Sequence, residues 1–591
     1  VREVWSDEPS PMSLPLRRAA EATLLYEYSP TPSGVSAAVE RSLVGEDMLP
    51  PSPERLKLLS EAAPAPENEE RLHTRLMIEG DAVAGELDAP GNWFERLSRA
   101  GRAKYIEPGL WIAAEHAEDY AAALERGGNA ARENIVRRLL RYRGAQTAQT
   151  VAERYFWRVS EAESVLTALV SQKNAVLSGE AYYHAELYDR ARRETVKDRR
   201  RAVVTRPPEA YAALLSGGLR AAAPPEEQLL LAVNALRDEA YPAELWENVL
   251  LPARVRGYRP AMLDTLLTKG EVFWHMSPDG AVRFRLYEDI DWDAALPEWV
   301  FSDGARAVQK KPLGELPDGA LAVYGALARR GASFAHALPL TPGADTLAEL
   351  VKAGLIRADS FAPVRQLLSA EKTAKLPDRR RRAARALSAA GRWEITRPLR
   401  ESAVEQQIDR AFDRAILLCR ETVRGVNWSA ALEQLRMWEF TGRVRRGYFI
   451  EGLSGAQFIR ERDYAGASLA MDNPRDEIVW LNAADPLQPW GRSLAHRPER
   501  AFILVPGTVV ALHRGAPVAV FERRGGTLRV FDGDVLPEAL RAFARAFTLG
   551  HSFPQLKRVT VKDYPPDAAD ALAAAGFQPQ MRDFALFRGV V

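Results

Sequence analysis

The sequence predicts an α+β protein of several domains, in which winged-helix modules follow one another and a small β-barrel comes after them. Two patterns predict the modules: a phrase of helical and strand-like residues that recurs along the chain, and a helix–turn–helix order that precedes it. A third observation, the change to short β-branched runs after residue 466, predicts the barrel.

The recurring phrase is an amphipathic Leu-x-x-Leu helix, a small or Gly turn, and a strand-like stretch with an aromatic residue. Its five copies lie at 93–114, 165–183, 262–287, 346–364 and 431–452. Successive copies begin 72 to 97 residues apart, which is too long for a solenoid repeat and suits small domains.

Helical segments precede the phrase. Before the second copy, IVRRLLRYRG (135–144) carries an apolar helical stripe and ends at Gly144, as expected at a helix C-terminus. The same order of helices and hairpin is predicted at 228–287 and 319–364. Three helices closed by a two-stranded hairpin form a winged helix, a variant of helix-turn-helix. A chance match is the alternative for any one copy, and five ordered copies argue against it.

Short strands are predicted beyond residue 466. The β-branched or aromatic runs are IVWLNA (478–483), AFILV (501–505), TVVALH (508–513), PVAVFER (517–523) and TLRVF (527–531). Turn residues such as Pro-Gly and Gly-Gly separate them, and short strands joined by tight turns are typical of a small barrel. A helix at 536–548, a strand at 558–563 and a helix at 566–575 are predicted to close the chain.

These patterns predict the domain boundaries. Residues 1–88 are interpreted as a piece of another domain together with the start of the first winged helix. The predicted winged helices then occupy 89–128, 129–222, 223–312, 313–392 and 393–465, followed by the barrel at 466–550 and a closing α/β segment at 551–591.

Composition narrows the class of protein. Of 591 residues, 47% are hydrophobic and 27% charged, an ordinary globular balance that excludes a disordered or collagen-like protein. The single cysteine, Cys419, excludes a disulfide framework and fits a reducing cytoplasm. No run of about 18 apolar residues occurs, so no membrane-spanning helix is predicted. The chain begins at Val1 without a signal-peptide pattern, so we expect a piece of a longer polypeptide.

Two further absences concern chemistry. No G-x-x-x-x-G-K-[ST] loop occurs, so no ATP-hydrolysing motor is predicted in this chain. The eight histidines show no H-x-x-x-H pair, so no metal site is predicted. Since the net charge is only +1, any surface that binds nucleic acid must be local.

The segment GRVRRGYFIEGLSGAQF (442–458) is the strongest candidate for such a surface. In a wing, alternation places Arg443 and Arg445 on one face and turns the residue between them toward the core. Arg446 stands beside a glycine that permits a tight tip, and Tyr448 offers a stacking face. Gln457 belongs to the same candidate set. The alternative is an exposed hairpin whose aromatic residues pack on a neighbouring domain.

Two other basic clusters are weaker candidates. LPARVRGYRP (251–260) contributes Arg254, Arg256, Tyr258 and Arg259, and a linker role between domains is equally compatible with it. Concentrated arginine neutralises phosphates and releases counterions, and Arg380 and Arg381 stand in a run of four arginines. Their alternatives are a role between subunits or a solvated helix face.

Several segments together resemble a known family. They are LLYEYSPTP (24–32), LWIAAEH (110–116), LPARVRGYRP, FAPVR (361–365), GRVRRGYFIEGLSGAQF and NAADPLQPWG (482–491). In this order they are similar to the C-terminal region of bacterial large helicase-related (Lhr-type) proteins of helicase superfamily 2. The resemblance covers essentially the whole chain.

The resemblance implies five winged helices followed by a β-barrel, with 1–88 as the tail of a helicase core. It implies that ATP and Mg²⁺ belong to motor domains upstream, that the partners are DNA (single-stranded or hybrid duplex) and those motors, and that the chain forms a homo-oligomer, expected to be a tetramer. A nucleoid-associated cytoplasmic location follows. Structural likeness to AlkZ-type crosslink glycosylases, and the uracil glycosylase activity of some relatives, are also implied.

Three functions therefore stay open. The favoured hypothesis is a DNA-binding and oligomerising region of a DNA-repair helicase. The second is a DNA glycosylase, which needs a carboxylate beside a flipped base, with Asp583 and Asp485 as candidates. An Asx turn before Pro486 is the alternative for Asp485, and an ion pair at a strand start is the alternative for Asp583. The third is a purely architectural tetrameriser.

Overall fold

The computed structural model describes residues 48–589, apart from 58, 62, 84, 108, 125–126, 220–222, 238, 278, 295–298, 303–305, 310–315, 341–345 and 374–390. The described residues form two compact units. The N-terminal unit runs to residue 203 and includes 439–442, and the C-terminal unit comprises 204–438 and the residues from 443 onward. No helix in the described part combines the length and apolar character needed to cross a bilayer.

The N-terminal unit contains helices α1 to α8 and strands β1 to β5. The helices are α1 (Pro53–Lys57), α2 (Glu69–Glu79), α3 (Gly91–Arg99), α4 (Ala117–Leu124), α5 (Asn129–Tyr142), α6 (Ala148–Tyr155), α7 (Val159–Ser171) and α8 (Ala185–Arg201). The strands are β1 (Asp81–Val83), β2 (Ala103–Ile106), β3 (Leu110–Ala113), β4 (Ala175–Ser178) and β5 (Ala181–His184).

Two winged helices make up most of this unit. In the first, α2, β1, α3 and the hairpin β2–β3 follow in order, and the antiparallel sheet has the order β1-β3-β2. In the second, α5, α6 and α7 precede the hairpin β4–β5, and a bridge between Gln146 and Tyr182 takes the place of the first strand. Helix α7 buries Ala162, Leu166 and Leu169 at helical spacing.

A buried carboxylate connects the elements of the N-terminal unit. Asp81 accepts hydrogen bonds from the hydroxyl groups of Tyr120 (2.6 Å) and Tyr155 (2.8 Å), and from Nε of Arg154 (2.7 Å). Burial, with the charge of Asp81 adding to it, raises the pKa of both tyrosines, so their hydroxyls stay protonated and donate. This cluster fixes β1 to α4 and α6.

The C-terminal unit contains the remaining elements. Its helices are α9 (Pro208–Gly217), α10 (Pro225–Leu236), α11 (Ala243–Leu245), α12 (Leu251–Arg254), α13 (Pro260–Lys269), α14 (Asp318–Arg330), α15 (Thr346–Lys352), α16 (Ala362–Thr373), α17 (Val404–Ala415), α18 (Trp428–Phe440, whose last two residues belong to the other unit), α19 (Glu461–Asp472), α20 (Leu536–Thr548) and α21 (Ala569–Ala574).

The strands of this unit are β6 (Tyr241–Pro242), β7 (Val272–Met276), β8 (Ala281–Leu286), β9 (Trp299–Ser302), β10 (Arg306–Gln309), β11 (Ser333–Phe334), β12 (Ile356–Ala358), β13 (Arg392–Ile395), β14 (Leu417–Leu418), β15 (Val444–Gly447), β16 (Gln457–Arg460), β17 (Ile478–Asn482), β18 (Val509–His513), β19 (Ala516–Glu522), β20 (Thr527–Val530), β21 (Arg558–Val561), β22 (Gln578–Gln580) and β23 (Asp583–Phe587).

Three winged helices follow one another here, with sheets in the orders β6-β8-β7, β11-β13-β12 and β14-β16-β15. Each sheet places its last strand in the centre, as in the first module. Trp246, Trp274 and Trp393 are fully buried in the continuous core of the third and fourth modules, and Trp246 meets Phe284 edge-on at 4.5 Å. The predicted winged helices and the α+β class are confirmed.

The fourth module contains an insertion that the sequence pattern does not show. Helix α16 lies between β12 and β13, so FAPVR belongs to a helix and not to a wing strand. Strand β13 pairs with both β11 and β12 and ends at Ile395, beyond the predicted boundary at 392. The arginine run, with Arg380 and Arg381, lies outside the described residues, as do residues 1–47 of the domain piece predicted at 1–88.

The predicted barrel is wrong for the described residues. Strands β17 to β20 form an open four-stranded sheet, and β21 to β23 form a separate sheet in the order β21-β23-β22. Helix α20 covers the open sheet: Trp480 packs on Phe543 and donates from Nε1 to the Ala539 carbonyl at 2.7 Å. AFILV (501–505) does not form a strand, since none of its residues pairs with another strand. Ile503 in this segment is 63% exposed.

Candidate nucleic-acid interface

The wing of the fifth module is formed by β15 and β16, and its arginines have protein partners. Val444 is buried as alternation predicts. Arg445 pairs with Glu461 at 2.7 Å and stacks over the ring of Tyr464 at 3.9 Å. Arg443 stacks over Trp438, also at 3.9 Å. The guanidinium groups therefore lie over aromatic rings, an arrangement that leaves only part of their surface to a ligand.

Exposure at the wing is limited to a few side chains. The side chain of Arg443 is 50% exposed, and its guanidinium lies 3.7 Å from Asp409. Arg446 is half-buried at 6.0 Å from the ring of Phe458. Tyr448 is exposed beyond the strand. Arg443 and Tyr448 are thus the wing residues placed to meet a ligand most directly.

Gln457 is buried, and its side chain holds the loop between β15 and β16 by hydrogen bonds. Its Oε1 accepts hydrogen bonds from the amides of Phe449 and Ile450, each at 2.8 Å, and its Nε2 donates to the carbonyls of Ile450 and Leu453. The side chain has no exposed surface. Its position favours a structural role over contact with nucleic acid.

Arg254 and Asp485, predicted for different roles, are partners in one buried ion pair. Nη1 of Arg254 donates to Oδ2 of Asp485 at 2.7 Å, and Nη2 donates to Oδ1 at 2.8 Å. Burial alone lowers the pKa of Arg254, but the charge of Asp485 outweighs it and the pKa is raised. Asp485 also accepts from the Leu487 amide at 2.9 Å, as an Asx turn requires. Both carboxylate oxygens are engaged and the side chain is 0% exposed, which favours a structural role for the pair.

The remaining residues of this cluster divide into two groups. Tyr258 donates its hydroxyl to Glu247 at 2.7 Å, and burial, aided by Glu247, raises its pKa. Arg256 and Arg259 are exposed at either side of it. Only those two arginines of the segment face solvent.

A groove in the C-terminal unit was not predicted from the sequence. It encloses about 1220 Å³ between α9, α19, β17 and α20. Arg475, Arg541 and Arg545 line it and are exposed, and none of them has an ion-pair partner among the described residues. Leu469, which is 67% exposed, and Leu549 add apolar surface. Three arginines without carboxylate partners beside apolar walls suit a phosphate backbone with unstacked bases.

Acidic residues also line the groove, but in the described part of the chain none of them forms an ion pair with these three arginines. Asp476 accepts from His513 at 2.7 Å and from Arg514 at 3.0 Å, and these hydrogen bonds lower its pKa. Glu477 and Glu538 also line the groove, without an ion pair to its arginines in the described part. One signal in the sequence was available: the two arginines of α20 are four residues apart and share a helix face.

The exposed faces of two recognition-type helices carry no cation at their centre. On α7 the exposed residues include Ser160, Glu163 and Thr167, and on α18 they are Ser429 and Glu433. A helix that enters a DNA groove presents donors and positive charge to it. The exposed face of α7 lacks that character, and the cation that α18 carries on this face is the half-buried Arg436.

Asp583 lies at the start of β23, opposite Gln580. It is half-buried and has no ion-pair partner among the described residues, so the predicted ion pair does not form there. Met581, two residues before it, is fully exposed in a left-handed turn at φ 52. Asp583 therefore lies at a hairpin tip, where part of its side chain meets solvent.

Comparisons with known proteins agree with the fold. Residues 215–286 and 397–466 match the third and fourth domains of a family described as "Large helicase-related protein, winged-helix domain". These matches fall on the third and fifth modules along this chain. The module at 318–395 therefore stands between two domains that the family numbers consecutively.

Two curated proteins are similar over longer stretches. The "Lhr helicase/ probable uracil glycosylase" of Mycolicibacterium smegmatis is 29% identical over 479 residues, which is 70% of this chain and 30% of that protein. The "Lhr helicase/uracil glycosylase" of Escherichia coli is 28% identical over 344 residues, 51% of this chain and 21% of that protein. The chain spans less than a third of either relative. Together, the winged-helix matches and these relatives support a likeness to the C-terminal region of an Lhr-type helicase.

Proposed function

We propose that this chain is a nucleic-acid-binding region of an Lhr-type helicase, and that the groove of the C-terminal unit holds single-stranded DNA. The observation that carries the proposal is the set of three exposed arginines in that groove, Arg475, Arg541 and Arg545, without carboxylate partners in the described part. Winged helices in the chain and helicases among its relatives support the same class of function.

The groove suits a single strand better than a duplex. Its polar wall carries arginines on two elements, α20 and the segment after α19, so a backbone that follows the groove meets both. Leu469 and Leu549 offer apolar contact to bases that are not paired. We therefore expect the groove to bind single strands of any base sequence with similar affinity, because phosphate contacts carry no sequence information.

Replacing Arg475, Arg541 and Arg545 together by alanine is expected to weaken binding of a single-stranded oligonucleotide. Each phosphate contact on a single strand contributes about 0.7 to the slope of log K against log salt, so three lost contacts reduce that slope by about 2. Fluorescence anisotropy titrations at several salt concentrations measure both quantities.

The matched control removes three exposed cations of the same unit that lie outside the groove, Lys269, Arg462 and Lys557. It changes the net charge equally and is expected to leave the slope nearly unchanged. Equal loss in both triple variants would show a general charge effect, and an unchanged slope in the groove variant would refute the groove as the binding site.

We also propose helicase motor domains and further copies of the chain as protein partners. The basis is the family likeness, since the relatives are named helicases and are more than three times as long as the stretch they share with this chain. Tetramer formation remains a prediction, which light scattering of the purified chain measures.

A second proposal is removal of uracil from DNA, because the names of both relatives include uracil glycosylase. Asp583 is the accessible candidate, since Asp485 is enclosed in its ion pair with Arg254. A carboxylate at that tip would position water or stabilise positive charge on the sugar.

If Asp583 acts in this way, Asp583→Asn abolishes cleavage of a uracil-containing strand after alkali treatment and leaves binding of the strand intact. Asp485→Asn serves as a comparison for loss of stability alone. If Asp583→Asn keeps full activity, Asp583 is not the catalytic carboxylate. If the unchanged chain gives no product, the chain is not a uracil glycosylase.

A further inference from the structure

We propose that a basic pocket in the N-terminal unit binds a terminal phosphate group, a phosphomonoester such as the 5′ end of a nucleic-acid strand. The pocket encloses about 310 Å³ between α5, the end of α7 and the start of α8. Its charged lining residues are Arg137, Arg138, Arg141, Lys173 and Glu186. The site lies within the N-terminal unit and is distinct from the groove in the C-terminal unit.

The cations of the pocket are only partly neutralised. Arg141 pairs with Glu61 at 2.7 Å and with Glu186 at 3.3 Å, and Arg138 lies 3.6 Å from Asp119. The side chain of Arg137 donates only to the amide oxygen of Asn134, and the ammonium group of Lys173 has no partner in the described part of the chain. Arg137 and Lys173 are exposed at the pocket rim, so at least two positive charges remain for a ligand.

His184 supplies an independent sign of a ligand. Its side chain lines the pocket, the residue is only 7% exposed, and its Nδ1 atom is enclosed without any hydrogen-bond partner. A buried polar atom without a partner costs free energy, which a bound donor or acceptor recovers. A protonated phosphate oxygen or a bridging water on the phosphate supplies that partner.

The start of α8 adds a third contribution. His184 is the N-cap residue of this 17-residue helix, and no side chain caps it. The first amide of α8, that of Ala185, donates to the carbonyl of Asn174 at 3.1 Å. The next amides of a helix have no intrahelical acceptor, and the helix dipole places partial positive charge there. Phosphate oxygens are suitable acceptors at such a terminus.

Charge selects a phosphomonoester over an internal phosphodiester. A monoester carries about −1.5 to −2 charges at pH 7, whereas each diester linkage carries one. The pocket combines two cations without carboxylate partners, two partly neutralised cations and a helix N-terminus. Together they supply more positive charge than one phosphodiester, with its single negative charge, would balance. A phosphodiester would also have to pass through the pocket with chain on both sides.

The backbone at Lys173 provides a clean variant. Lys173 has φ 60, in the left-handed region that glycine adopts more readily than lysine. Lys173→Gly therefore removes the ammonium group while relieving the backbone, so a loss of binding cannot arise from loss of folding. Arg137→Gln, at a second exposed position, tests the same site from α5.

The experiment uses the full chain and single-stranded oligonucleotides of one sequence with either a 5′-phosphate or a 5′-hydroxyl. The phosphorylated strand is expected to bind about tenfold more tightly, the value of one charge-assisted hydrogen bond. In Lys173→Gly and Arg137→Gln that ratio falls toward one, while affinity for the 5′-hydroxyl strand stays the same. Lys104→Gln, which removes an exposed lysine of the same unit, is expected to keep the full ratio.

Competition distinguishes the source of the phosphate. If adenosine monophosphate and inorganic phosphate bind the unchanged chain but not the two variants, and the oligonucleotide ends make no difference, the pocket takes small phosphorylated molecules. If the unchanged chain and the two variants show the same affinity for each oligonucleotide and for each small phosphate, the inference is overturned. The triple groove variant loses affinity for both strands yet keeps their ratio, so failure of the groove proposal and failure of this one are separable.

Discussion

Arg254→Met is expected to destabilise the chain by about 3–5 kcal/mol, because it leaves the carboxylate of Asp485 buried without its partner. Both side chains are almost fully enclosed, and the ion pair joins the third winged helix to the segment after β17, across 231 residues of sequence. Urea denaturation of the C-terminal unit measures the change.

The double variant Arg254→Met with Asp485→Leu separates the pair from its surroundings. Replacing both charges by apolar groups removes the desolvation cost together with the attraction, so most of the lost stability should return. Arg254 was a predicted nucleic-acid contact. If Arg254→Met instead keeps full stability and loses DNA affinity, the enclosed ion pair does not describe the protein in solution.

Gly515→Ala is the second substitution with a large expected effect, about 2–5 kcal/mol, from overpacking and a left-handed backbone. A methyl group at Gly515 would lie 1.9 Å from the Glu209 carbonyl oxygen and 2.6 Å from the Ala213 amide nitrogen, and the residue has φ +83. The turn between β18 and β19 therefore packs directly on the backbone of α9.

Gly550→Ala is the matched control for this substitution. Gly550 has a similar φ of +77, and a methyl group there meets no atom within 4 Å. It should cost only the conformational part, about 1–2 kcal/mol. Equal melting temperatures for the two variants would show that the close approach at Gly515 has no energetic weight.

Local patterns were enough to predict the winged helices. Each of the five recurring phrases coincides with a helix and its following strand, because the periodicity of apolar residues and the Gly turns act within about 25 residues. The helix, strand and helix predicted after residue 536 correspond to α20, β21 and α21. These elements depend on neighbours in the sequence.

Long-range pairing explains what was missed. A barrel closes only if its first and last strands pair. Here α20 covers one face of the sheet formed by β17 to β20, and that sheet stays open. AFILV is apolar enough for a strand, yet it finds no partner strand. Composition of a segment does not reveal either outcome.

The candidate sites show the same limit. Arg445 and Gln457 are polar residues in a wing, as predicted, but their partners are Glu461 and the backbone of the loop between β15 and β16. Conversely, Arg475 and Arg541 stand far apart in the sequence and share one groove because the fold brings the end of α19, β17 and α20 to its walls. Whether an arginine is available to a ligand depends on which carboxylates fold beside it.

The strand order of the winged helices has a consequence for synthesis on the ribosome. In four modules the strand made last occupies the middle of its sheet, so the first two strands have no contact with each other until it emerges. At about 5–20 residues per second, the fourth module waits a further 2–7 s while the 33 residues between β12 and β13 are translated. During that interval β11 and β12 have no partner strand in the nascent chain, so we expect chaperones to bind this module longer than the other three.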